Sequence, residues 1–412
     1  MIKRLLKSTF LFFLIGNLSC GNTNNQTGHL SNDEKQIQKT DSINQEIITG
    51  ANRTDDYLDD LKNKKIAIVG NQTSTIKTER GDHIHLVDSL LSLDIKISKV
   101  FAPEHGFRGT ADAGEVVKNG LDTRTGLPVF SLYGDSKKPS SESLKDIDLL
   151  IFDIQDVGAR FYTYISTLHY IMEASAENNI PLLILDRPNP NGRYVDGPVL
   201  EPEHSSFVGM HPIPVVHGMT IGEYAQMING EKWLKNEIQC ELKIVKMENY
   251  DHSKSYSLPV KPSPNLPNDK SINLYPSLCF FEGTNVNAGR GTKDQFQVFG
   301  SPYLDKEHYE YSYIPEPMAG AKHPKHSGEK CYGKNLQDIA ELNSLNLEWL
   351  IEAYNQTENK KEFFNSFFTK LAGTKQLQQQ IESGMAVQEI KKSWKSGLIE
   401  FKAMRSKYLI YQ

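Results

Sequence analysis

Cysteine is scarce. Cys20, Cys240, Cys279 and Cys331 are the only four in 412 residues. They lie far apart and form no CxxC pair, which argues against a structural zinc site. An excess of one charge is missing too. With 46 basic and 51 acidic side chains the formal net charge is −5, and no long basic run is present, so nothing draws the chain to nucleic acid. The N-terminal apolar run falls short of the roughly 20 residues that span a bilayer. No GxGxxG follows the first strand-like run, no GxxxxGK[ST] loop occurs, and neither HExxH nor HxxEH is found. Dinucleotide, P-loop and zinc-hydrolase readings therefore lack their motifs, and neither a cofactor nor a metal is expected. What remains is 38% hydrophobic, 9% aromatic and 24% charged. That composition excludes a disordered, collagenous or coiled-coil protein, and the length suffices for two packed domains.

Residues 1–19 have the layout of an export signal. Lys3, Arg4 and Lys7 precede an apolar run at 10–15, and Gly16-Asn17-Leu18-Ser19-Cys20 closes it, which is the basic start, short apolar stretch and small-residue end of a cleaved leader. Cys20 after Leu18-Ser19 resembles a bacterial lipidation site, with Asn17 where Leu is usual. An ordinary secretory leader with a chance cysteine is the alternative. Either way the chain is expected to be exported, as a periplasmic or outer-membrane lipoprotein if Cys20 is lipidated, and to touch membrane only through that anchor. Of the three remaining cysteines, at least one must stay unpaired within the chain. Residues 20–55 are read as a tether, because their polar composition buries too little apolar surface to offset ordering.

From residue 56 short apolar runs at 65–70, 95–101, 147–154 and 181–185 alternate with helix-like stretches at 85–93 and 166–178. Runs of this length suit strands buried on both faces, and the alternation predicts a parallel α/β sheet. The run at 95–101 is the most mixed and is expected nearer a sheet edge. Pro262-Ser263-Pro264-Asn265-Leu266-Pro267 can continue neither a helix nor a central strand, so residues 56–260 are taken as the first domain and 261–412 as the second. In the second, Leu347, Leu350, Ile351 and Tyr354, then Phe363, Phe364, Phe367, Phe368 and Leu371, recur at helical steps and read as core.

Ligands of open α/β sheets bind beyond the carboxyl ends of the strands, and each run ends there in polar residues. FAPEHGFRG (101–109) holds Glu104 beside His105 and near Arg108. Glu115 offers a second carboxyl, and glycoside hydrolysis needs two. In FDIQDVGARFYTY (152–164), Gln155 and Asp156 leave the strand, Arg160 brings a fixed cation, and Tyr162 and Tyr164 bring flat faces with hydroxyls, which suit sugars. LDRPNPNG (185–192) adds Asp186, Arg187 and Asn189 on a rigid turn. VHGMTIGE (216–223) offers His217, while Thr220 and Glu223 read as a capping box. Beyond Asn265, EGTNVNAGRGT (282–292) carries Glu282, Asn285 and Arg290, placed to face the first domain across a cleft. Plain structural roles compete at each position: ion pairs, turns and core tyrosines.

Taken together, these six segments resemble the NamZ-type exo-β-N-acetylmuramidase family, long called a domain of unknown function, over residues 60–412. They depart from its usual pattern at Asn191, Asn287 and Ala288, all in loops. The resemblance implies a Rossmann-like catalytic platform with an auxiliary α+β C-terminal domain. It implies release of terminal N-acetylmuramic acid from the non-reducing end of peptidoglycan fragments, so that muropeptides or disaccharides are the expected partners. On that resemblance Glu104 is the leading catalytic carboxyl, with His105 and Asp156 beside it and Asp186 and Glu115 as alternatives. Arg108, Arg160, Arg187 or Arg290 would pair with the lactyl carboxylate of the sugar. The competing classes are an envelope sugar-binding lipoprotein without turnover and a metal-dependent deacetylase or phosphatase using His105, His217, Asp153, Asp156 and Asp186.

Overall fold

Strands buried on both faces need apolar residues at every position, and the runs read from the sequence satisfy this. The computed structural model describes residues 45–109, 115, 119–134 and 136–412. The leader, Cys20 and the tether up to residue 44 lie outside the described residues. The chain divides into two units, 1–46 and 47–412. The first strands of the second unit are β1 (Ile66–Gly70), β2 (Thr75–Lys77), β3 (His83–His85), β4 (Ile97–Ala102), β5 (Gly120–Leu121), β6 (Pro128–Ser131), β7 (Leu149–Asp153), β8 (Leu182–Leu185) and β9 (Leu242–Val245). β2 and β3 form a small hairpin, and the other seven form one sheet in the order β5-β6-β4-β1-β7-β8-β9. All neighbours run parallel except β5 against β6. Counted in chain order, the six parallel strands lie 3-2-1-4-5-6, the Rossmann order, whose direction reverses at β1 between β4 and β7.

Alternate residues feed two cores. Val69, Phe152 and Ile184 face one, packed by the helices Tyr164–Asn178 and Ile221–Gly230. Ile68, Ile151 and Leu183 face the other, under the helix Leu86–Ser92. The strand expected near an edge is corrected: β4 is interior, between β6 and β1. Its polar Ser98 and Lys99 are only half-buried because the edge beyond is short. Lys99 runs over the Phe130 ring and donates to the Ser143 carbonyl at 2.7 Å, the usual way a long cation reaches solvent from an apolar surface. Packing also starts before residue 56. Ile48 bridges Glu248, and the Gly50 amide donates to the Asp186 carbonyl at 2.9 Å. A Cβ at Gly50 would stand 2.4 Å from the Val245 oxygen, so only glycine allows this approach.

The C-terminal region is the expected α+β, with strands β10 (Val298–Ser301), β11 (Tyr311–Tyr313) and β12 (Cys331–Asn335) in an antiparallel sheet of order β10-β12-β11. Its longer helices are Asp269–Leu278, Glu348–Gln356 and Lys395–Arg405. Phe280, Phe299, Phe363 and Phe368 join the same core as Val69 and Phe101, so the C-terminal region shares one of the sheet's two cores. Cys240, Cys279 and Cys331 are buried free thiols.

Candidate active site

The β4 exit sets the site. After Pro103 the chain turns through two consecutive left-handed residues, His105 (φ 70°) and Gly106 (φ 75°), and the Gly106 amide closes on the Pro103 carbonyl at 3.0 Å. A left-handed non-glycine residue costs about 1 kcal/mol, and here it leaves Glu104 at the strand end, beside the point where the strand order reverses. His105 itself is buried. The Thr163 hydroxyl donates to Glu104 Oε2 at 3.0 Å, and Tyr133 lies within electrostatic reach of the same carboxyl. Tyr164 accepts from Asn71 Nδ2 at 2.9 Å and donates to the Pro262 carbonyl at 3.3 Å; Tyr162 reaches the same carbonyl at 2.8 Å, its ring edge-on to Tyr164. Burial first, and then nearby charge, keeps both phenols protonated; Glu104 and Asp156 both act on Tyr164. Tyr275 is buried within electrostatic reach of both Glu104 and Arg290, so this phenol lies between the strand ends and the loop at 282–292.

That loop lines a cavity of about 630 Å³ with Glu115, Glu282, Arg290, Lys322, His323 and Lys325 on its walls. Arg290 Nε donates to Glu282 at 2.7 Å, and Lys322 pairs with Glu115 at 2.9 Å. Burial works to raise the Glu282 carboxyl, but Arg290 and Lys325 outweigh it and hold Glu282 below the usual carboxylate range. Lys325 donates to the Phe281, Thr284 and Val286 carbonyls. Asn285 borders this wall; its backbone carbonyl takes the His326 ring at 2.6 Å, and its side-chain oxygen is buried without a partner. Asn265 ties the two regions, donating to the Gly320 carbonyl at 2.7 Å. Cations outnumber carboxylates in the cavity, a setting for an anionic substituent.

The other candidates do not line that cavity. Arg108 is divided between Asp122 and Asp88. Arg187 clamps Asp153 at 2.6 and 2.9 Å, fully inside. Arg160 has no exposure, and its terminal nitrogens donate to the carbonyls of Pro198, Ile213, Leu371 and Ala372. Of the four arginines, only Arg290 lines the cavity. Both oxygens of Asp186 are taken, by the Thr220 and Tyr411 hydroxyls and the Gly222 and Arg187 amides, and burial pushes its carboxyl up to about 6. Asn189 donates to the Met219 carbonyl, and Gln155 to the Pro188 and Asp156 carbonyls. Asp156 Oδ2 accepts from the Gly158 amide at 2.7 Å and lies 3.7 Å from His217 Nε2; Asp156 Oδ1 is buried with no hydrogen-bond partner. The five residues considered as metal ligands do not converge. Among the described residues the one ligand cluster is Glu201, Glu203 and His204, outside this crevice.

Around Glu104 the fold thus gathers Tyr162 and Tyr164, both expected from the sequence, with Asn71, Thr163, Tyr133 and Tyr275, which were not. Asn71 and Thr163 sit inside strand-exit segments and were open to detection as such. Tyr133 follows β6, whose four residues give too short a run to signal a strand.

Both regions of the chain match known proteins. Residues 66–270 match the family described as exo-beta-N-acetylmuramidase NamZ, N-terminal, and residues 273–411 match its C-terminal counterpart. The chain is 40% identical over 375 residues to the peptidoglycan beta-N-acetylmuramidase NamZ of Bacillus subtilis (strain 168), covering 86% of this chain and 89% of that one. Two crystal structures of DUF1343 family proteins from Bacteroides fragilis NCTC 9343 superpose on it. One has a TM-score of 0.82 at 45% identity, the other 0.75 at 28%, each over 89% of this chain and 99% of its own.

Proposed function

The chain belongs to the exo-β-N-acetylmuramidase NamZ family, and from that premise we propose that it removes terminal N-acetylmuramic acid from the non-reducing end of peptidoglycan fragments. It is a glycoside hydrolase. The observation that carries the proposal is the Glu104 carboxyl, held by the Thr163 hydroxyl at a strand end beside the point where the strand order reverses. A carboxyl so held can exchange a proton with a glycosidic oxygen, and phenols around it offer faces and hydroxyls to a pyranose ring. Arg290, at the wall of the cation-rich cavity, pairs with the lactyl carboxylate that distinguishes muramic acid from glucosamine, a planar two-point match. Export by the leader at 1–19, with Cys20 as the lipid attachment point, puts the enzyme where such fragments arise.

The test is hydrolysis of a chromogenic β-N-acetylmuraminide beside its glucosaminide counterpart. Wild type should turn over the first and not the second. Glu104→Gln should lower kcat roughly 10²–10⁴-fold while still binding the sugar, and Arg290→Gln should shrink the preference between the two substrates. A wild-type chain that binds the muraminide and never cleaves it would be an envelope sugar-binding protein instead.

A further inference from the structure

Thr163 is the N-cap of the 15-residue helix Tyr164–Asn178, yet its side chain caps nothing there. Its backbone is already helical (φ −72°, ψ −3°), unlike the extended backbone from which a threonine caps the first amides. Here the hydroxyl turns away and donates to Glu104 Oε2. Tyr133, in the segment following β6, lies within electrostatic reach of the same carboxyl, its ring backed by Phe207, centroids 6.4 Å apart, and Phe207 stacks on Tyr170 of the same helix. The segments after β4 and β7 are thus joined by one hydroxyl–carboxyl bond, from Thr163 to Glu104.

Taking Glu104 as the catalytic carboxyl of the proposed function, we infer that Thr163 is a positioning residue of the reaction, its hydroxyl fixing the direction of that carboxyl. Thr163 need not touch the sugar. Misplacement by about 1 Å costs on the order of 10²-fold in rate.

The experiment uses the full chain and the chromogenic muraminide, with Thr163→Val and Thr163→Ser, each alone and combined with Glu104→Gln. Thr163→Val keeps the shape and removes only the hydroxyl. It is expected to lower kcat about 10- to 100-fold with KM nearly unchanged. Thr163→Ser should restore most of the rate, and Thr163→Val should not slow Glu104→Gln further. Three outcomes would overturn the inference while leaving the function standing: wild-type kcat in Thr163→Val, a loss carried by KM, or an undiminished loss in the Glu104→Gln background. Absence of turnover in wild type overturns both.

Discussion

Asp156 and His217 sit 3.7 Å apart inside the protein, each with an unpartnered polar atom, and burial moves them in opposite directions. Desolvation pushes the Asp156 carboxyl up to about 7, against the pull of the Gly158 and Val157 amides. It drives the His217 ring down to about 3, helped by the charges of Arg405 and Arg160. An acid that binds its proton more tightly when folded stabilises the fold fully below about pH 4, and that contribution is lost as pH rises towards 7. A histidine kept neutral when folded does the reverse, losing its contribution as pH falls from about 6.5 towards 3. Asp156→Asn should therefore remove the falling arm and leave stability rising between pH 4 and 6.5. Urea midpoints of parent and variant measured from pH 4 to 8 check this; parallel curves would show that Asp156 titrates alike in both states.

At the scale of elements, the helix Ile221–Gly230 shows local chemistry and tertiary contacts agreeing. Thr220 accepts from the Glu223 amide at 3.3 Å while Glu223 accepts from the Thr220 amide at 2.9 Å, the capping box expected from VHGMTIGE. Tertiary structure then gives the same groups more partners. The Thr220 hydroxyl donates to Asp186, and the second Glu223 oxygen takes His252 and the amides of Ile410 and Tyr411. Thr220→Ala should cost about 2 kcal/mol, the upper end for a lost cap, because a buried Asp186 oxygen loses a donor as well. Chemical denaturation measures it, and a loss near 0.5 kcal/mol would mean that Asp186 is served by its other donors. Thr163 is the contrasting element end, its backbone already helical and its hydroxyl bonded to Glu104.

For the whole molecule, Arg160 is the cross-brace. From the segment after β7 it reaches Pro198, Ile213 and the end of the helix Phe368–Ala372, and Gly373 packs against it where a Cβ would stand 2.7 Å from the guanidinium. With the C-terminal region packed into the same core as one face of the sheet, the two matched family segments should unfold together. Arg160→Met should destabilise by about 3 kcal/mol, since buried carbonyls lose their donors, and parent and variant should each show one transition by fluorescence and circular dichroism alike. Two separated transitions would contradict a shared core. The sequence by itself determined the buried strands at β1, β4, β7 and β8, the capping box, and the segment carrying Glu104, because short-range periodicity and turn chemistry act over a few residues. Only the tertiary structure decided that β4 is interior, that Arg108, Arg160 and Arg187 are taken up by buried or half-buried partners while Arg290 lines the cavity, and that Thr163 meets Glu104. The physical reason is that strand order and hydrogen-bond partners join residues far apart in the chain, and no local pattern records which donor a distant acceptor will find.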